Sequence, residues 1–348
     1  MSPAHHAPVE TVTRAPRPDL TDYDLLAPQL SGGKDSALMM WLFMETARTA
    51  GVVERVRSYH ASLGLLDWPG ITYHGVYWPG VSELAARQST AFGLPPDQHL
   101  EVTRTLTGPD GTRMPHSLLT EIAAYGRFPR LGSKYCTKSA KDTVVSASWT
   151  PFVTQRKKEL GRPVRILKVQ GIRRDESRSR STLAPYRNVL ANGARVVDEW
   201  LPALEWTTEE VKEWCGSMPI ARHWTYDSVP GAGDWLGTSR CSCSLCSFAS
   251  KRDLLLAIGR RPRLAALYEL VESVRGDSLR SDWRIHDLIH LAKAPDAPDP
   301  GVVCDDDTPA FAMLEEQVRA ALARPPRKAV VLARRADTLP CTGCPVHP

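Results

Sequence analysis

The sequence has no run of about 18 apolar residues, so no segment of bilayer-spanning length is expected. Its first twenty residues, rich in Pro, Ala and His, contain no apolar stretch of the signal-peptide type, and a cytoplasmic protein is the expectation. There is no G-x-x-x-x-G-K-[ST] phosphate loop, no internal repeat, and no H-E-x-x-H spacing among the ten histidines, so none of them is assigned to a metal. Charge of one sign is not in large excess either. A net charge of +5 suits a nucleotide or nucleic-acid partner without demanding one.

What is present is 348 residues of ordinary globular composition, 42% hydrophobic and 24% charged, enough for one large α/β domain with appendages or two smaller domains. The eight cysteines are unevenly placed: Cys136, Cys215, Cys241, Cys243, Cys246, Cys304, Cys341 and Cys344. In a reducing compartment, cysteines clustered like this are more often metal ligands or catalytic thiols than disulfides.

Apolar and turn patterning predicts strands at Val56–Ala61, His99–Val102 and Val164–Gln170, and a helix over Ser82–Phe92. Another helix is expected after Thr207, where Thr207 and Glu210 form a capping box. A further one begins near Lys251, breaks near Pro262 and resumes over Leu264–Val274. Strands alternating with helices imply a doubly wound, mostly parallel α/β sheet. Residues 293–310, dense in Pro and Asp, read as a linker, followed by a short helix over Ala310–Ala323.

The chemistry begins at Ser31-Gly32-Gly33-Lys34-Asp35-Ser36, which opens a strongly apolar helix. Two glycines, a lysine and hydroxyls at a helix start suit an anion, because free backbone N–H groups and the positive dipole end converge there. The preceding Leu25–Leu30 segment contains Pro28, which predicts a short or bulged first strand. The hexapeptide resembles the S-G-G-x-D-S fingerprint of the PP-loop ATP pyrophosphatases, which cleave ATP between the α and β phosphates.

Three more segments resemble the phosphoadenosine phosphosulfate (PAPS) reductase family, in that family's order. They are Lys134-Tyr135-Cys136-Thr137 with Lys138 and Lys141, the run Gly171 to Arg180 (GIRRDESRSR), and Thr238 to Cys246 (TSRCSCSLC). His60-Ala61-Ser62-Leu63-Gly64, Asp67-Trp68-Pro69-Gly70 and Trp206 fit a subgroup of it. The resemblance spans roughly residues 25–290. It implies an adenine nucleotide alpha hydrolase-like fold, with a flexible arm (1–20), a nucleotide-binding domain (21–200), a C-terminal part with the cysteine element and helices (201–292), and a linker, helix and Cys-containing tail (293–348).

The resemblance implies nucleotide contacts from Ser31, Gly32, Gly33, Lys34, Asp35 and Ser36, and from Gly171, Arg173, Arg174, Glu176, Ser177 and Arg180. Lys34, Asp35, Ser36 and Arg173 carry the catalytic roles. By the same resemblance ATP and Mg²⁺ would sit on the loop, Lys34 would neutralise the β and γ phosphates, and a substrate oxygen would attack the α phosphate to release pyrophosphate. Arginine's planar fork suits such anions. Cys136, Cys243 and Cys246, with Cys241 as a fourth candidate, are the implied ligands of a [4Fe-4S] cluster; structural zinc or free thiols are the alternatives. Cys215 reads as a packed residue and Cys304 as incidental.

The function implied is adenylating sulfur transfer, of the kind that thiolates tRNA or inserts sulfur into the DNA backbone, with a cysteine desulfurase as sulfur donor. The rival is PAPS reduction by Cys344, whose spacing to His347 matches the reductase tail; a non-catalytic nucleotide-binding component of a modification or defence complex is the third reading. Lys34 and Asp35 favour a triphosphate, since reductases carry a serine-rich loop.

Overall fold

A computed structural model of the chain describes residues 16–107, 113–218, 220, 222–241 and 243–327. Most of the expected arm, and the tail with Cys341, Cys344 and His347, lie outside the described residues. In chain order the strands are β1 (Leu25–Gln29), β2 (Ser58–Ser62), β3 (Ile71–Tyr73), β4 (Val76–Trp78), β5 (His99–Thr103), β6 (Thr105–Thr107), β7 (Arg113–Pro115), β8 (Val164–Gln170), β9 (Tyr186–Ala191) and β10 (Arg195–Trp200). The helices are α1 (Lys34–Thr49), α2 (Val81–Ala91), α3 (Leu118–Tyr125), α4 (Tyr135–Thr137), α5 (Thr143–Ser148), α6 (Thr150–Leu160), α7 (Thr208–Ser217), α8 (Lys251–Arg260), α9 (Pro262–Arg275), α10 (Ile285–Leu291) and α11 (Pro309–Leu322).

Six strands form one sheet in the order β5-β2-β1-β8-β10-β9, parallel throughout except for β9, which pairs antiparallel with β10. Helices cover both faces, as an all-parallel centre requires. On one face α1, apolar on every side, packs with α7 over Leu26, Leu167, Val169 and Trp200. On the other, Val145 of α5, Trp149 between the two helices and Val153 of α6 cover Leu25, Ala27, Ile166 and Val197. The expected mostly parallel, doubly wound α/β sheet is therefore what the chain forms.

Pro28 is accommodated without a bulge. β1 pairs residue for residue with β8, from Leu25↔Ile166 to Gln29↔Gln170. On the β2 side, Arg57 N–H donates to Leu26 O (2.9 Å) and Leu30 N–H to Tyr59 O (2.8 Å). Pro28 lies midway between them, so its missing donor thins the ladder to β2 alone.

The capping box forms as its residues predict: Thr207 Oγ1 accepts from Glu210 N–H (3.3 Å) and Glu210 Oε2 from Thr207 N–H (2.8 Å). Pro262 separates α8 from α9, as expected. Nothing in the patterning had suggested a helix between Tyr135 and Leu160. There α4, α5 and α6 follow one another almost without a break, joined by a five-residue π-helical turn at Lys138–Asp142.

A third core joins α8, α9, α10 and α11 to α3 and to Leu63, Leu66 and Trp68, so residues on both sides of position 200 build it. Its polar centre is a pair of arginines at 0% and 1% exposure, Arg260 and Arg261. Arg260 donates to the carbonyls of Thr225, Asp227, Ser228 and Pro300 (2.8–3.0 Å). Arg261 donates to the carbonyls of Leu65 and Asp67 and to Ser244 Oγ, and pairs with Asp306 (2.5 Å). The segment expected as a linker, 293–310, is thus fastened down. Asp306 is the buried counter-ion of Arg261, and Cys304, expected to be incidental, is buried with its N–H on Arg260 O (2.8 Å). Composition signalled a linker; the Arg261–Asp306 pair together with the bonds from Arg260 to Pro300 O and from Cys304 N–H to Arg260 O overrides it.

Candidate functional site

The strand order reverses between β1 and β8, and the crevice beyond their C-terminal ends is where doubly wound sheets hold ligands. Both chemical motifs emerge there. Ser31–Ser36 leaves β1 and enters α1, and Gly171–Arg180 leaves β8. The glycines have steric reasons. Gly32 sits at φ +69°, where a Cβ would meet Val81 O at 2.6 Å, and a Cβ on Gly171 would meet Asp35 O at 2.5 Å. The second approach presses the two motifs together, backbone to backbone.

Ser36 Oγ donates to Gly33 O (2.9 Å) and accepts from Ser31 N–H (3.1 Å), closing the loop on itself. Lys34, 5% exposed, extends its Nζ to Asp35 Oδ2 (3.0 Å) over the Tyr226 ring, 5.2 Å from its centroid. Arg173, 2% exposed, donates from Nε to Asp35 Oδ1 (2.6 Å). Asp35 thus balances two cations. Arg173 Nη1 also reaches Asp175 (2.5 Å), Trp206 O (3.3 Å) and Thr208 Oγ1 (3.1 Å), tying the crevice to the start of α7. Asp175 accepts in turn from Thr208 N–H (2.7 Å); burial opposes its ionisation, but Thr208 and Arg173 outweigh that and hold its carboxyl below the usual range.

The other two arginines are engaged as well. Arg174 pairs with Glu205 (2.7 Å) and Arg180 with Glu176, while Ser177 Oγ lies 3.1 Å from Ser179 Oγ. Burial, then the repulsion of Arg240 and of Arg173, lowers the Arg180 pKa despite the attraction of Asp35. Three guanidinium groups are therefore crowded at one edge of the crevice, and Arg240 itself donates to Glu176 O (2.9 Å).

The cysteine segment starts at the same loop. Tyr226 Oη accepts from Lys34 N–H (3.2 Å) and from Cys241 N–H (3.3 Å). A Cβ on Gly33 would lie 3.5 Å from that of Cys241. Burial pushes the Cys241 thiol up to about 12, with Asp67 adding to it. The segment then turns away, and Ser244 N–H donates to Leu66 O (2.8 Å). Cys243 and Cys246 hydrogen-bond through their thiols, which, with burial, raises the Cys243 pKa. Burial and Cys246 raise that of Cys136. Lys141 stands among these groups. Burial works to lower its pKa, but Cys243, Asp67, Cys246 and Cys136 together raise it.

The structure thus brings Cys136, Cys243 and Cys246 together and leaves Cys241 at the phosphate loop. Among the described residues, no group of three or more His, Cys, Asp or Glu side chains is arranged to hold a metal ion. Lys141, the ammonium group among them, works against the upward shifts of Cys136 and Cys243. Cys215, on α7, packs against the core that α1 shares, and burial lifts its thiol to about 11.

Sequence reasoning missed Tyr226, Asp67 and the inward role of Lys141. Tyr226 carries no local signal, since its two partners lie 192 and 15 residues away. Asp67 and Lys141 lay inside quoted segments, but only the π-helical turn brings the lysine to the thiols.

No protein-family model matches the chain, and no curated protein does. Among solved structures, Candida glabrata FMN adenylyltransferase in complex with FAD and inorganic pyrophosphate is similar over 60% of this chain, at 11% identity and a TM-score of 0.29. The match spans about half (52%) of that protein. Among the described residues, no helix is long and apolar enough to cross a membrane.

Proposed function

We propose that the chain is an ATP-binding enzyme that adenylates its substrate, releases pyrophosphate and transfers sulfur. The observation that carries the nucleotide reading is the meeting of two anion-binding motifs, the Gly33-capped start of α1 and the Gly171–Arg180 run, in the crevice between β1 and β8. A triphosphate entering there takes up the charge of Lys34, Arg173 and Arg180 that Asp35 and Glu176 now balance. Lys34 and the first amides of α1 bind the β and γ phosphates, while Arg173 and Arg180 orient the α phosphate for in-line attack. Catalysis of that step is positioning and charge stabilisation. Asp35 is the carboxylate that would meet Mg²⁺, an ion usually held by one or two carboxylates together with the phosphates.

For a nucleic-acid acceptor the support is a groove of about 720 Å³ beside Cys136, where Lys134, Lys138 and Arg195 stand among the hydroxyls of Thr137, Thr143 and Ser146. Its carboxylate, Asp142, is paired with Lys168 (3.2 Å). For sulfur transfer the support is the thiol group one segment away from the loop, to which a cysteine desulfurase would deliver sulfur. No step is assigned to the [4Fe-4S] cluster. Iron analysis of anaerobically purified protein decides it: about four irons per chain would require the three thiols to rearrange around a cluster.

The deciding experiment is competition of ATP against PAPS, with pyrophosphate release assayed in parallel. Preference for ATP with release of pyrophosphate is expected. Preference for PAPS, with sulfite release requiring Cys344, would replace this reading with reduction.

A further inference from the structure

The Tyr226 hydroxyl joins two backbones that are far apart in sequence. It accepts the N–H of Lys34, at the first position of α1, and the N–H of Cys241, where the cysteine segment begins. The side chain is 2% exposed and its ring packs against Trp235, with centroids 5.5 Å apart. No other side-chain oxygen among the described residues accepts from either amide. An alanine at position 33 would put a Cβ 3.1 Å from the same oxygen, so the loop is built with room for this hydroxyl and no more.

We infer that Tyr226 is a positioning residue that couples anion binding on the phosphate loop to the placement of the cysteine segment, a role resting on the nucleotide reading above. The first N–H groups of a helix are the donors an anion draws on. Phosphate on the loop reorients the Lys34 amide and changes its share of the hydroxyl, whose other bond is to Cys241. A buried N–H that loses its acceptor carries a desolvation penalty, so a change at one bond is felt at the other partner. Lys34 Nζ, 3.5 Å from Ser239 O, lies along the same path. Two sites that share one contact influence each other reciprocally.

The test is hydrogen exchange read by mass spectrometry on the full chain, with and without ATP. In the wild-type protein ATP is expected to slow exchange at the phosphate loop and to change it about fivefold or more across Ser239–Cys246. In Tyr226→Phe, which keeps the ring, the loop still responds, but the change at Ser239–Cys246 is lost. Without ATP, the Lys34 and Cys241 amides of this variant both exchange faster. Trp235→Phe trims the ring's neighbour but keeps the hydroxyl, and it is expected to retain the full response, which a merely structural role of Tyr226 would not allow. An undiminished response in Tyr226→Phe overturns the coupling while leaving the nucleotide reading intact, as does a wild-type response confined to the loop. Absence of any ATP effect at the wild-type loop overturns both.

Discussion

The phosphate-loop crevice and the cysteine-bearing helical region are held together by different means. In the crevice the polar groups pair with one another: Ser36 closes its own loop, Asp35 balances its neighbour Lys34, and Arg173 and Gly171 reach Asp35 from the end of β8. In the helical region two buried arginines gather carbonyls from segments as far apart as Leu65 and Pro300. The crevice thus combines contacts inside one loop with contacts across the chain, and its charges pair with one another, whereas the arginines of the helical region are committed to distant carbonyls and to Asp306. A change in one region should register mainly as ligand affinity, a change in the other mainly as folding.

The strongest way to break that contrast is Arg261→Met, which strands Asp306 in the interior. It is expected to cost about 3–5 kcal/mol in urea unfolding; a loss under 1 kcal/mol would mean the arginine pair is not what holds the helices. Acid should act on the same region. His223 is buried beside Arg260, and burial, helped by that charge, lowers its pKa to about 3 from an ordinary 6.5. Between those pH values the unfolded chain binds a proton that the folded one refuses. Its contribution to stability is complete above about pH 6.5 and falls as the pH drops toward 3, by up to a few kcal/mol. His223→Phe should flatten the pH dependence of the urea midpoint over that window, and an unchanged slope would remove His223 as its source.

On the crevice side, Lys34→Ala should weaken ATP binding by about tenfold or more, roughly 1.4 kcal/mol, as measured by titration calorimetry, and abolish pyrophosphate release. Its melting temperature should move far less than that of Arg261→Met. Unchanged affinity in a folded protein would remove the loop from the site. The smallest effect sharpens the boundary between the regions: Thr207→Ala removes the cap of α7 and should cost about 1 kcal/mol. Because Arg173 reaches Trp206 O and Thr208, some of that cost should also appear as weaker ATP binding.

The same division explains what could be read in advance. The sheet class, the α7 cap, the break at Pro262 and the loop before α1 each depend on residues within a few positions of one another, and each was legible. Pro28 was legible as a lost donor, though not as one lost toward β2, because that depends on which neighbour its register faces. The 293–310 segment misled because Pro and Asp signal solvent unless a buried cation claims one of the carboxylates. Tyr226 and the grouping of Lys141 with three thiols belong to tertiary contact, and no spacing announces them.

The π-helical turn at Lys138–Asp142 has a consequence for helical phase. A π turn holds one residue more than an α turn, so everything after it is rotated by about 100° relative to an uninterrupted helix. Cys136 and Lys141 are thereby brought into step on one side, while Val145 and Trp149 still meet the sheet. Removing one residue from this turn would leave the composition of the helix almost untouched. It would nevertheless force a choice between keeping the lysine among the thiols and keeping the apolar face on the strands, so the extra residue keeps both alignments in phase.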